Sequence, residues 1–421
     1  LCYAELAGAY PHSSGEYVYL RKAYGPFVGF GFAWAMLTVI RTGASIAPIA
    51  YVFAEYAQRL HDFGPNSKLI YVTAAIGGLT LVNAFGIHPG RRTQNALTLA
   101  KVLGLAGIVI AGLYLYLPSS ELIVPAPMAA KSDSSLVLAL VLVLWAYSGW
   151  HEVAYVVADL RNHHRNFAWA ILLGVGAVAV VYVAVNAALL AGLGWNDVRR
   201  SDAVGAELLR RALGAPGEKT LAALVIISTL GAVNGTILTG GRFFSGFGEL
   251  HPGFGWLSGG RTRRGAPLVA LVAQATISLG MVVLVETGDV WKAWLAERLQ
   301  GFGVTLPLDF AKPTDGFETL VACTAPVFWF FFLLTSGALF ILRAKEPDRP
   351  RPFRVPALPI VGVVFTACCL FMLYQSTQYA AQQRPAEAVV VGALLLLGLP
   401  VYVAGRRGHF ERGTTDENQN R

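Results

Sequence analysis

Apolar runs of about 20 residues recur from one end of the chain to the other, and nothing limits the possible folds more. They lie at 26–56, 69–85, 96–117, 135–157, 167–193, 221–246, 267–285, 320–342, 358–379 and 388–403. A helix of that length crosses the hydrocarbon layer of a bilayer, about 30 Å thick. Lipid offers no partner to a free N–H or C=O, so a spanning segment must be a helix or a strand of a closed barrel. These runs are too long and continuous for barrel strands, which alternate in polarity over ~10 residues. The fold class is therefore all-α and polytopic, with ten complete spans and a helical stub at 1–9. Composition agrees, since 55% of the 421 residues are hydrophobic and 14% charged, against about 25% charged in soluble domains. One transmembrane domain, 1–405, is followed by a polar tail, 406–421.

Basic residues orient the spans. One set of loops holds Arg21, Lys22, Arg91, Arg92, Arg161, Arg165, Arg242, Arg261, Arg263, Arg264, Arg343, Lys345, Arg349, Arg351 and Arg354, and the tail adds Arg406, Arg407 and Arg412. The short loops of the other set hold only Arg59, Lys68, Lys131 and Arg384. The richer set, with the C-terminus, belongs in the cytoplasm. The net charge of +8 is thus a matter of topology and not of nucleic-acid binding. Two long connections, 194–220 and 286–318, fall outside, and each has a piece of helical spacing (203–213 and 291–299) that reads as a short surface helix.

One span breaks the apolar pattern. Trp145-Ala146-Tyr147-Ser148-Gly149-Trp150-His151-Glu152 puts a serine, a glycine, a histidine and a glutamate near its middle. Polar groups at that depth are costly and usually face a cavity. A Ser-Gly pair lets the helix open, and opened backbone is tolerated in a membrane only where it lines a site. The segment reads as a broken helix around something small, or else as a kinked helix whose polar groups neighbours satisfy. Arg41, near the middle of its own span, needs a carboxylate, a carbonyl or a watery cavity, and has a structural or gating role.

Other chemistries find no support. Cys2, Cys323, Cys368 and Cys369 lie in apolar stretches with no CxxC spacing, as small core hydrophobes do. His163-His164 has no HExxH spacing, and neither GxxxxGK[ST] nor a nucleophile elbow is present. No metal, no cofactor and no enzymatic activity is expected.

Several blocks then resemble the amino acid–polyamine–organocation superfamily, and within it the L-type and related bacterial amino acid permeases. Cys2-Tyr3-Ala4-Glu5-Leu6 with Pro11-His12-Ser13-Ser14-Gly15-Glu16-Tyr17 resembles the end of the family's second helix. Arg92-Thr93-Gln94-Asn95 with Ala100-Lys101 resembles the start of its fifth. Trp145 to Glu152, then Asp159-Leu160-Arg161-Asn162, resembles its sixth helix and the loop after it. Ser228-Thr229-Leu230-Gly231-Ala232-Val233-Asn234-Gly235-Thr236 resembles the eighth. Ala325-Pro326-Val327-Phe328-Trp329 and Arg349-Pro350-Arg351-Pro352-Phe353-Arg354-Val355-Pro356 resemble the tenth and its following loop.

The resemblance implies a leucine-transporter-like fold of five-plus-five inverted repeats with two extra C-terminal helices, the first and sixth helices being unwound around the substrate. By that count the chain lacks the first helix and most of the second. Carried over by position, Trp145 lids the substrate, and the freed carbonyls of Ala146 and Ser148 receive its ammonium group, with Tyr147 and Gly149 in the same opened stretch. His151 stands where many members have Asn, and is either a titratable hydrogen-bonding group or a histidine packed against its neighbours. Lys101 takes the place of the sodium ion of sodium-coupled relatives, or else snorkels to the interface. Phe328 replaces a substrate-contacting Asn and makes an apolar wall, while Ser228 and Asn234 are site-wall or helix-packing groups. Glu152 and Arg41 complete the candidates for coupling or gating.

The function expected from this resemblance is secondary amino acid transport by alternating access, through sodium-independent exchange or proton-coupled uptake. A polyamine permease and a non-transporting amino acid sensor of the same fold are the alternatives. The expected partners are an amino acid, the bilayer of the cytoplasmic membrane and, in the coupled case, protons. The loop 58–68 has no cysteine, so no disulfide-linked heavy subunit is expected.

Overall fold

The computed structural model describes residues 1–119, 143, 147, 149–159, 163–201, 203–262, 265–301 and 316–404. Helices follow one another in chain order as α1 (Cys2–Ala9), α2 (Glu16–Tyr24), α3 (Pro26–Ala35), a π-helical stretch (Met36–Ile46), α4 (Ala47–Leu60), α5 (Ser67–Ala84) and α6 (Ile87–Ser119). After a 3₁₀ segment (Trp150–Asp159) come α7 (His163–Leu193), the short α8 (Trp195–Arg200) and α9 (Val204–Leu213), and α10 (Pro216–Leu250). A second 3₁₀ segment (Pro252–Ser258) leads to α11 (Leu268–Glu286), α12 (Gly288–Gly301), α13 (Gly316–Lys345), α14 (Leu358–Gln383) and α15 (Pro385–Leu396). Among the described residues no β-strand occurs, only a single bridge between Arg261 and Pro267.

Nine helices among the described residues are long and apolar enough to cross a membrane, and they match the expected spans other than 135–157. Most of that run lies outside the described residues. Prolines open α3, α10, α14 and α15 within their first two positions, where a missing N–H costs nothing. Gly25, at φ +99°, turns the chain from the amphipathic α2 into the apolar α3.

Burial ranks the spans. The continuous span Pro26–Leu60 is 67% buried in its most apolar stretch and Trp169–Leu193 only 6%. The first is the centre of the bundle and the second a lipid-facing wall, where Val180 and Val183 are each 69% exposed. Exposed valines need no protein partner where lipid is the solvent. The pieces of helical spacing expected in the long connections are α9 and α12. The latter is docked more firmly than a surface helix, because Lys292 is buried against Glu387 at 3.2 Å.

The end that holds the basic loops is clasped by one acid. Glu5 of α1 is fully buried, accepts from Arg343 Nε at 2.8 Å and from the Val355 backbone N–H at 2.7 Å, and lies 3.4 Å from Arg351. Arg349 donates to the Ala9 carbonyl at 2.8 Å with its guanidinium 3.9 Å from the centre of the Tyr10 ring. These contacts tie α1 to the end of α13 and the loop beyond it.

Candidate functional site

Two local departures from α-helix build the site. Gly149 adopts φ +94°, a conformation that side-chain-bearing residues avoid, and the chain continues from it as the 3₁₀ segment. Facing it, the central span winds as a π-helix over Met36–Ile46, a geometry frequent at functional sites. Thr42 and Ser45 donate through their hydroxyls to the carbonyls of Leu37 and Ile40, at 3.1 and 3.2 Å, and so hold the wider turn.

Arg41 sits within that turn and is 1% exposed. Its Nη1 lies 2.7 Å from each carboxylate oxygen of Glu152, and Thr239 of α10 donates to Glu152 Oε2 at 2.6 Å. The guanidinium lies 5.3 Å from the Tyr155 ring centre, which is within cation–π range. One ion pair thus joins the π stretch, the opened segment and α10. A charge at this depth is tolerated when paired and hydrogen-bonded in this way.

The Glu152 carboxylate faces a cavity of about 440 Å³. Ser45, Pro48 and Ile49 wall it on one side, and Gln94 and Lys101 of α6 on another. Gly149 and His151 close it from the opened segment, Gly235, Thr236 and Thr239 from α10, and Thr324, Phe328 and Trp329 from α13. The volume suits a small organic molecule. Its surface is mostly apolar, with a few polar groups on α6, α10 and the opened segment, as befits an amphiphilic solute.

A family model described as amino acid permease matches residues 1–399. The chain belongs to the amino acid permease family. Human b(0,+)-type amino acid transporter 1 is 29% identical over 379 residues, covering 89% of this chain and 71% of its own length. The same transporter from Rattus norvegicus is 30% identical over 371 residues, 86% of this chain and 70% of the relative. Large neutral amino acids transporter small subunit 2 of Mus musculus is 30% identical over 422 residues, 96% of this chain and 71% of the relative. The protein is thus a multi-pass secondary transporter of amino acids, not an enzyme.

In the permease, Gly149, His151, Glu152, Phe328 and Lys101 come together on the one cavity. Trp145, Ala146 and Ser148 lie outside the described residues. Tyr147 packs on Tyr182 of α7 with ring centres 5.0 Å apart and does not line the cavity. Ser228, half-buried on α10, does not reach it either. Asn234 is a brace, donating to Gln94 Oε1 at 2.9 Å and the Gly90 carbonyl at 3.2 Å and accepting from Asn83 at 2.8 Å. It joins α5, α6 and α10 behind the wall.

His151 is boxed by aromatic rings, with Phe332 at 4.8 Å and Phe328 at 5.4 Å between centres. Its Nε2 is 3.5 Å from Glu152 Oε1, and its Nδ1 has no hydrogen-bond partner. Lys101 is half-buried and, among the described residues, has no hydrogen-bond or ion-pair partner. Gln94, Thr236, Thr239 and Trp329 escaped sequence reasoning, because uncharged polar residues and a tryptophan at helical spacing are ordinary in a membrane bundle.

Proposed function

We propose that the permease works as a sodium-independent amino acid exchanger, with its substrate in the 440 Å³ cavity against the opened segment. The observation that carries this reading is Lys101, whose half-buried side chain lines the same cavity with no hydrogen-bond or ion-pair partner among the described residues. A fixed ammonium group there supplies the positive charge that a sodium ion brings to a sodium-coupled transporter of this fold. The substrate ammonium is received by the freed carbonyls at Ala146 and Ser148, and Trp145 closes over its side chain. Helix ends exposed by the break are suited to a zwitterion, with amides for the carboxylate and carbonyls for the ammonium.

The reading disfavours polyamines, since the one acid on the described cavity wall, Glu152, is already paired with Arg41. It puts the protein in the cytoplasmic membrane with its basic loops and C-terminus inside. It works without a disulfide-linked heavy subunit.

Counterflow tests it. Proteoliposomes holding protein expressed from its whole gene are preloaded with mixed amino acids and offered each labelled amino acid without sodium. Uptake above empty vesicles, lost in Trp145→Ala, is expected. A sodium requirement would overturn the coupling, and no uptake of any amino acid by folded protein would remove the site assignment.

A further inference from the structure

We infer that Arg41 is a specificity-determining positioning residue, which cancels the Glu152 charge at the cavity wall and so makes the site take neutral amino acids and reject cationic ones. This rests on the reading of the cavity as the substrate site. Glu152 and Arg41 are unequally placed, with side-chain exposures of 24% and 1%. The carboxylate therefore meets the cavity, while the guanidinium stands behind it, 2.7 Å from both oxygens. Thr239 fixes the same carboxylate from α10, so its remaining lone pairs face the substrate in one orientation.

A bare carboxylate in such a wall would attract the ammonium or guanidinium of a cationic side chain strongly, because little water is present to screen it. Paired with Arg41, the same carboxylate offers hydrogen-bond acceptors and no net charge. Among the described lining residues, Lys101 is then the remaining lysine or arginine, and as an ammonium it repels a second positive charge. Of the two kinds of relative named above, one is called a transporter of large neutral amino acids and the other is not. The charge balance of this cavity sides with the neutral type.

The test compares labelled leucine, lysine and glutamate in counterflow. Wild type should take up leucine at least tenfold over lysine. Arg41→Gln uncovers the carboxylate and should raise lysine relative to leucine by roughly tenfold or more. Arg41→Gln with Glu152→Gln should restore the leucine preference, a rescue that a purely structural role would not produce. Glu152→Gln alone leaves the guanidinium uncompensated and should raise glutamate uptake.

Wild type carrying lysine as readily as leucine would overturn the inference while leaving the transport reading intact. So would an active Arg41→Gln that still rejects lysine, or an active Glu152→Gln that still rejects glutamate. Loss of all transport in every variant would make the pair structural and remove the assignment. Wild type that takes up no amino acid at all would instead strike the transport reading beneath it.

Discussion

Arg41 and Glu16 show two ways in which this protein keeps a charged residue away from water. Arg41 has Glu152, Thr239 and the Tyr155 ring, although its Nε and Nη2 find no acceptor. Glu16, the first residue of α2, is 1% exposed, with the Tyr3 hydroxyl donating to Oε1 at 2.9 Å and no charged partner among the described residues, while Oε2 has no hydrogen-bond partner. Burial pushes the Glu16 carboxyl up to about 7, against the opposing pull of the Tyr155 and Tyr3 hydroxyls. A carboxyl raised by folding holds its proton more tightly in the native state than in the unfolded one. Its stabilising contribution is complete below the ordinary value of 4.5 and is lost as pH rises through about 7. Over that window the melting temperature in detergent should fall more steeply for wild type than for Glu16→Gln. Parallel curves would mean that Glu16 is not the titrating group.

At the scale of elements, the π stretch and α10 must fit each other at one glycine. A Cβ at Gly240 would lie 3.2 Å from Arg41 Cδ and Nε and would overlap Gln274 Oε1. Gln274 is fully buried and donates to the Ile237 carbonyl at 2.8 Å, so it has little room to yield. Gly240→Ala should therefore overpack this crossing at a cost of about 1–3 kcal/mol. The expected outcome is a lower melting temperature in detergent together with weakened selectivity, since Arg41 is displaced from Glu152. An unchanged melting temperature would show that the helices can move apart there at no cost. Gly43 on the π stretch is in a similar position, facing the Met281 methyl and Thr324. Small residues let these helices approach where lipid provides no hydrophobic drive.

Across the whole molecule, the clasp on Glu5 and the ion pair on Glu152 hold the bundle at two depths. Glu5→Gln leaves Arg343 and Arg351 without their shared carboxylate, and Arg351 is 2% exposed in its side chain. Removing one partner of a buried pair costs 3–5 kcal/mol, and the partial exposure of Arg343 argues for the lower end, about 3 kcal/mol. Earlier thermal unfolding is expected, with faster proteolysis in the loop after α13. Full stability in Glu5→Gln would show that backbone contacts such as Arg349 with the Ala9 carbonyl hold this end unaided.

How much of this was legible follows the range of the interactions. Nine of the ten spans and the opening at Gly149 are evident in the chain alone, and the placing of Phe328 on the cavity came from the family resemblance. Bilayer thickness and backbone hydrogen bonding act on each segment separately, and a glycine's freedom is a property of one residue. The need of Arg41 for a partner is equally plain from its depth. Which partner answers it is not, because Glu152 lies 111 positions further along the chain and Thr239 a further 87. Nor does residue type separate Asn234, a brace, from Thr239, a cavity group on the same helix. Periodicity and composition therefore determined a polytopic helical bundle with one broken span. Only the packing of helices against each other decided which charges meet, which face the cavity and which side chains stand behind its walls, since side chains far apart in sequence can be paired only once the helices are side by side.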